Sequence, residues 1–354
     1  MEARPAASRR TSARRPIAPL PPRYRSAMRL LLDAEIQDDT VDELRGLDPK
    51  LDVVDVREER AFDMDALRDE QLEIIVGPRT PRDLDRVPGL RWLQLRSAGV
   101  DHLAVDPPWR HGIVTTNARG VYAIPIAEYV TGMVLRSHQP TGWGMDQAAH
   151  HWPGEAPLIT VLRGSTALVV GYGSIGREIA RQLSALGVRI LAAKARPEKR
   201  ADDGYRVPGT GDPDGSIPER IVGLDRLTET ARSADLLVVT VPLTDDSRGL
   251  VDREVIDALP VHAWVINISR GPIIDEAVLL EALRAGQVGG AVLDVFAQEP
   301  LPANSPWWDA PNTIVTPHAS GVTLRYFDRL VIENVRRYLA GEPLLNQVDP
   351  ERGY

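Results

Sequence analysis

The run Thr166-Ala167-Leu168-Val169-Val170-Gly171-Tyr172-Gly173-Ser174-Ile175-Gly176 decides the fold. An apolar strand runs straight into G-x-G-x-x-G, and an amphipathic helix, Ile175 to Leu186, runs straight out. Alone the glycine string matches many tight turns. Between a strand and a helix it reads as the phosphate loop of a dinucleotide-binding βαβ unit. Gly171 allows the turn, Gly173 lets the backbone approach a pyrophosphate, and Gly176 lets the helix pack against the strand. Ser174 and Ile175 open the helix, whose first N–H groups and positive dipole end suit a phosphate.

Outward from this unit, strands and helices alternate in both directions. Upstream, Leu30–Leu32, Val53–Val56, Ile74–Val76, Trp92–Leu95 and Ile113–Thr115 read as strands, with polar periodic segments such as Asp39–Leu47 between them. A long helix is expected over 122–148, broken by Pro153 and Pro157. Downstream, strands are expected at Arg189–Ala192, Leu236–Val241, Trp264–Ile268, Gly290–Leu293 and Thr313–Thr316, and helices at Asp275–Arg284 and about 322–340. Such alternation predicts the α/β class with two doubly wound parallel-sheet domains. Asp202–Gly223, rich in Gly, Pro and Asp, is too long for an ordinary strand–helix loop.

Composition narrows the function. The 354 residues are 43% apolar and 26% charged, as in soluble globular proteins, and no apolar run reaches the ~18 residues of a membrane span. The absence of Cys excludes disulfides, thiolate catalysis and Cys-ligated metal. Residues 1–27 hold seven Arg and one acid, while the whole chain carries −8, so the body is strongly acidic and unsuited to nucleic acid. That Arg/Pro-rich tail is expected to be disordered, as a transit peptide or an upstream start before Met28. Adjacent His150 and His151 face different ways, so no metal site is expected.

Beyond the phosphate loop, the strand Arg189–Ala192 is followed by Lys194-Ala195-Arg196, where a dinucleotide fold usually places an acid for the ribose 2′-hydroxyl. Lys194 and Arg196 would attract a 2′-phosphate, which favours NADP over NAD; as surface cations they would do neither. Three further apolar strands lead into charged residues: Trp264–Ile268 into Ser269-Arg270, Ala291–Phe296 into Glu299-Pro300, and Thr313–Thr316 into Pro317-His318. In open parallel sheets ligands sit beyond the carboxyl ends of strands. An imidazole there can give a proton to a carbonyl oxygen, a carboxylate can hold its other nitrogen, and a guanidinium can grip a substrate carboxylate. Singly, each could be a surface or structural residue.

Together these motifs resemble the D-isomer-specific 2-hydroxyacid dehydrogenase family over about Met28 to Val348. The matching elements are Gly171–Gly176, Asn267-Ile268-Ser269-Arg270-Gly271, Leu293-Asp294-Val295-Phe296 with Glu299-Pro300, and Thr316-Pro317-His318. The resemblance implies a Rossmann NAD(P)-binding domain, 125–320, inserted into a flavodoxin-like substrate domain built from 28–124 and 321–349. It implies a catalytic Arg270/Glu299/His318 triad and places Thr240, Pro242, Ser269 and Asp294 along the cofactor, Asp294 at the nicotinamide carboxamide. Ser97-Ala98-Gly99-Val100-Asp101 resembles the loop whose N–H groups hold a substrate carboxylate, with Ala98, Gly99 and Val100 as the binding residues. The implied substrate is a small 2-keto/2-hydroxy acid, and the implied assembly a cytoplasmic homodimer with no nucleic-acid or membrane partner.

The missing acid after the second cofactor strand and the long Asp202–Gly223 segment depart from the family pattern. That segment is expected to cover the adenosine or meet another subunit. Glu299 stands where the superfamily's formate dehydrogenases carry Gln, which argues against formate; phosphite oxidation stays open beside glyoxylate or hydroxypyruvate reduction. The same fold also serves NAD(H)-sensing corepressors, so a binding protein without turnover is the alternative.

Overall fold

The computed structural model describes residues 28–59, 62–103, 105–138, 148–152, 160–202, 204–321, 323 and 325–350. The Arg-rich tail, Pro153 and Pro157 lie outside them. Five strands form the first sheet: β1 (Met28–Leu32), β2 (Leu51–Asp55), β3 (Leu72–Val76), β4 (Trp92–Gln94) and β5 (Val114–Thr116). All pair in parallel in the order β2-β1-β3-β4-β5, the flavodoxin-like winding. The central strands β1 and β3 carry the apolar runs Leu30–Leu32 and Ile74–Val76 because both faces are covered. Leu30, Leu32, Ile74 and Val76 face one core, and Leu31, Ile75 and Leu93 face the other.

The second sheet holds β6 (Thr166–Val170), β7 (Arg189–Ala193), β8 (Arg220–Val222), β9 (Leu236–Val239), β10 (Trp264–Asn267), β11 (Gly290–Leu293) and β12 (Thr313–Val315). Its order is β12-β11-β10-β9-β6-β7-β8, the Rossmann winding extended by one strand. Strand order reverses between β6 and β9, which opens a ligand crevice at the phosphate loop.

Helices α1 (Asp38–Gly46), α2 (Ala123–Ser137), α3 (Ser174–Ala185), α4 (Leu227–Ala231), α5 (Arg253–Ala258), α6 (Glu276–Ala285) and α7 (Phe327–Ala340) cover the sheets. Helix α2 lays Ile126, Ala127, Val130 and Val134 on the second sheet beside Ile179. Helix α7 returns to the first sheet, with Phe327, Leu330, Val331 and Val335 packed against Leu30, Ile74 and Trp92. Among the described residues, no helix is long and apolar enough to cross a membrane.

Some boundaries differ from expectation. The helix expected over 122–148 ends at Ser137, where Ser137 Oγ and His138 Nδ1 both meet the Val134 carbonyl at 2.8 Å; residues 139–147 lie outside the described set. The last helix begins at Phe327 rather than near 322, after a turn in which Thr323 Oγ1 accepts the Arg325 amide. The long irregular segment ends in the short edge strand β8.

Candidate active site

The phosphate loop comes first. Its Gly171 has φ +101°, and a Cβ there would lie 2.7 Å from the Val241 amide nitrogen. A Cβ on Gly176 would run into the Gly171 carbonyl oxygen, so β6 and α3 approach closely only with glycine at both places. Helix α3 starts on Gly173 with no capping side chain, and the side of Gly173 that a Cβ would occupy is open space. The amides of Ser174, Ile175 and Gly176 therefore point out of an uncapped helix end, an arrangement that fits a dinucleotide pyrophosphate.

Around this cradle the expected cofactor residues are braced. Thr240 Oγ1 donates to the Gly171 carbonyl at 2.5 Å, Ser269 Oγ to the Val241 carbonyl, and the Pro242 carbonyl accepts Ser247 Oγ at 2.6 Å. Lys194 lies half-buried after β7, its Nζ 2.8 Å from the Lys199 carbonyl oxygen. Burial, then the nearby Arg177 charge, lower its pKa to about 8. Arg196 follows, partly buried.

The 202–219 segment is neither a loose loop nor a free flap. Among its described residues, Asp202 pairs with Arg119, and Asp212 accepts Tyr172 Oη at 2.6 Å and the amides of Ser216 and Ile217. The Gly211 amide donates to the buried Glu178 of α3 at 2.6 Å, and the Tyr205 amide to Asn346 Oδ1 at 3.1 Å. Buried Arg177 stacks on the Tyr172 ring, 4.8 Å from its centroid, and donates to the Asp212 and Arg200 carbonyls. The segment thus straps α3 to residues beside β5 and beyond α7.

At the carboxyl end of β10, Asn267 clamps the turn: its Oδ1 accepts the Ser269 amide and its Nδ2 donates to the Arg270 carbonyl, both at 3.1 Å. Arg270 Nη1 donates to the Ser269 carbonyl at 2.8 Å. Its Nη2 and Nε reach Asp101 at 3.2 and 3.4 Å. Beyond β11, Glu299 Oε1 accepts the Phe296 amide at 2.9 Å, and Oε2 meets His318 Nδ1 at 2.8 Å. An ionised carboxylate only accepts, so Nδ1 carries the proton and Nε2 is left for another partner. His318 holds a left-handed backbone, φ +53°, and stays partly exposed.

Asp294 braces that strained turn. It is fully buried, and its carboxylate accepts Thr316 Oγ1 at 2.5 Å, the Ala319 amide at 2.9 Å and the Ser320 amide at 3.0 Å. Its carbonyl accepts the His318 amide at 2.8 Å. Tyr129 of α2 completes the chain at 2.7 Å, donating to Thr316 Oγ1 because the single Thr316 hydroxyl hydrogen is committed to Asp294; burial pushes the tyrosine pKa up to about 12.

The Ala98–Val100 loop presents amides. The Ser97 carbonyl accepts the Ala118 amide, the Ala98 carbonyl accepts Asn117 Nδ2, and the Gly99 carbonyl accepts Ser97 Oγ at 2.7 Å. With the carbonyls engaged, the amides of Ala98, Gly99 and Val100 donate to no acceptor among the described residues, which makes a nest for an anion. A Cβ at Gly99 would lie 2.7 Å from Arg270 Nη2, so the guanidinium sits against this nest. Read from sequence, Asp101, Thr316 and Tyr129 carried no role of this kind; the one usable signal was that Asp101 closes the Ser97–Asp101 loop.

A family model described as "D-isomer specific 2-hydroxyacid dehydrogenase, NAD binding domain" matches residues 132–320. A curated relative, the (S)-sulfolactate dehydrogenase of Chromohalobacter salexigens, is 33% identical over 273 residues, which cover 75% of this chain and 84% of the relative. A D-isomer specific 2-hydroxyacid dehydrogenase from Xanthobacter autotrophicus Py2, solved with NADPH and MES, is 30% identical with a TM-score of 0.75, over 93% of this chain and all of the other. An NADPH-dependent glyoxylate/hydroxypyruvate reductase from Sinorhizobium meliloti, solved with NADP and sulfate, is 26% identical with a TM-score of 0.70, over 92% and 100% of the two chains.

Proposed function

The chain belongs to the D-isomer-specific 2-hydroxyacid dehydrogenase family, and from that premise we propose that it reduces a small 2-keto acid to the D-2-hydroxy acid through Arg270, Glu299 and His318. A nicotinamide cofactor held in the cleft would supply the hydride. Arg270 and the amides of Ala98, Gly99 and Val100 take the substrate carboxylate between them. Protonated on both ring nitrogens, His318 gives the Nε2 proton to the keto oxygen and is left as the neutral Nδ1–H ring, and Glu299 holds the Nδ1 side in the orientation that turns Nε2 outward. The 2.8 Å Glu299–His318 contact carries this reading, since it makes the imidazole a one-sided proton donor.

The phosphate loop, with Ser174, Ile175 and the braced Thr240, Pro242, Ser269 and Asp294, forms the cofactor cleft in this proposal. Lys194 and Arg196, with no acid in their place, favour NADP over NAD. The relatives solved with NADPH or NADP support the same choice. The packing of α2 on the second sheet and of α7 on the first supports domain limits at about 124/125 and 320/321. A homodimer through the cofactor domain would cover the exposed Leu135, Trp152 and Val161.

Nicotinamide absorbance tests the reading. Purified protein is given NADPH or NADH with glyoxylate, hydroxypyruvate, pyruvate and a bulkier 2-keto acid. Oxidation should be faster with NADPH and should fall by about 10²- to 10⁴-fold in His318→Ala. Tight dinucleotide binding without oxidation of any pair would turn the assignment to a sensor.

A further inference from the structure

Arg270 comes from the end of β10 in the second sheet, and Asp101 follows the loop after β4 in the first. The two meet across the crevice, Nη2 to Oδ1 at 3.2 Å and Nε to Oδ2 at 3.4 Å. From its own side Arg270 has one further anchor, Nη1 to the Ser269 carbonyl at 2.8 Å. We propose that Asp101 is a positioning residue for substrate binding, holding the Arg270 guanidinium against the Ala98–Val100 amides so that one carboxylate meets both.

Gly99 marks how close that juxtaposition is. A Cβ there would lie 2.7 Å from both Arg270 Nη2 and Asp101 Oδ1, so loop backbone, guanidinium and carboxylate share one contact point. A long arginine chain is otherwise free to swing toward solvent, and its side chain is 31% exposed here. Holding it in place beforehand removes ordering that the substrate carboxylate would otherwise have to impose. Burial pushes the Asp101 carboxyl pKa up, but the Arg270 charge and hydrogen bonds outweigh it and leave the group below its usual value. Asp101 is therefore ionised at neutral pH. Its charge also opposes an incoming anion, and the orientation it imposes on Arg270 outweighs that repulsion.

The inference rests on the reading of Arg270 as the carboxylate anchor, and the experiment separates the two. Oxamate, an unreactive 2-keto-acid analogue, is titrated calorimetrically into the enzyme saturated with NADPH. Asp101→Asn should weaken oxamate binding and raise the 2-keto-acid KM by about tenfold. Its NADPH Kd and saturating kcat should stay within about twofold of wild type. Asp101→Glu should recover part of the loss, and Asp101→Asn should add little in an Arg270→Ala background. Unchanged or tighter oxamate binding in Asp101→Asn, while Arg270→Ala weakens it, overturns the inference alone. Oxamate binding indifferent to Arg270→Ala overturns the underlying reading. A raised NADPH Kd in Asp101→Asn would make the residue structural and also overturn the inference.

Discussion

The His318 ring is aimed by residues that never touch a substrate. Its backbone sits at φ +53°, a conformation that costs on the order of 1–3 kcal/mol for a non-glycine residue and persists only where its surroundings insist on it. Asp294 supplies that insistence through three donors to its carboxylate. Asp294→Ala would strand buried donors at about 1–3 kcal/mol each. We expect a clear drop in the thermal midpoint together with a fall in kcat, read by calorimetry and steady-state kinetics. Lys194 gives a prediction about pH. Burial lowers its pKa to about 8, so it is charged below that pH and neutral above it. If it holds a 2′-phosphate, the NADPH KM should climb as pH rises through about 8 while the NADH KM stays flat; Lys194→Ala should abolish the difference. Arg270, Glu299 and His318 were legible in the sequence because each follows a recognisable apolar strand. Asp101 and Tyr129 were not, because their partners lie 169 and 187 residues away and only the fold joins them.

At the scale of elements, the strands were read well because parallel strands buried on both faces are short unbroken apolar runs. Short elements escaped: β8 has three residues with an exposed Arg220, and α4 and α5 span five and six residues, too few for periodicity to declare itself. The 202–219 segment was seen as long but not as a strap, since its lengths of chain carry turn residues whose partners are distant. Its buried pivot is Asp212, which ties Tyr172 of the phosphate loop to the amides of Ser216 and Ile217. Asp212→Ala should loosen the strap without removing the cradle. Hydrogen exchange should rise over about 204–219, and the dinucleotide Kd should rise several-fold. Unaltered exchange there would mean that the segment is held by its other contacts.

At the scale of the whole molecule, two sheets of different winding present their carboxyl strand ends to one crevice, and Arg270 against the Gly99 loop is one of the places where the two halves meet. Both windings were foreseen from the alternation and the resemblance, while the contact between the sheets was not, because no local pattern encodes it. The central claim is that this crevice performs proton-coupled hydride transfer on a 2-keto acid with His318 as the proton donor. The most direct test compares wild type with His318→Ala for NADPH oxidation by glyoxylate and hydroxypyruvate, with NADPH binding measured in parallel. The account predicts turnover in wild type, a loss of about 10²- to 10⁴-fold in the variant, and equal NADPH affinity in both. Turnover that survives the substitution would contradict it.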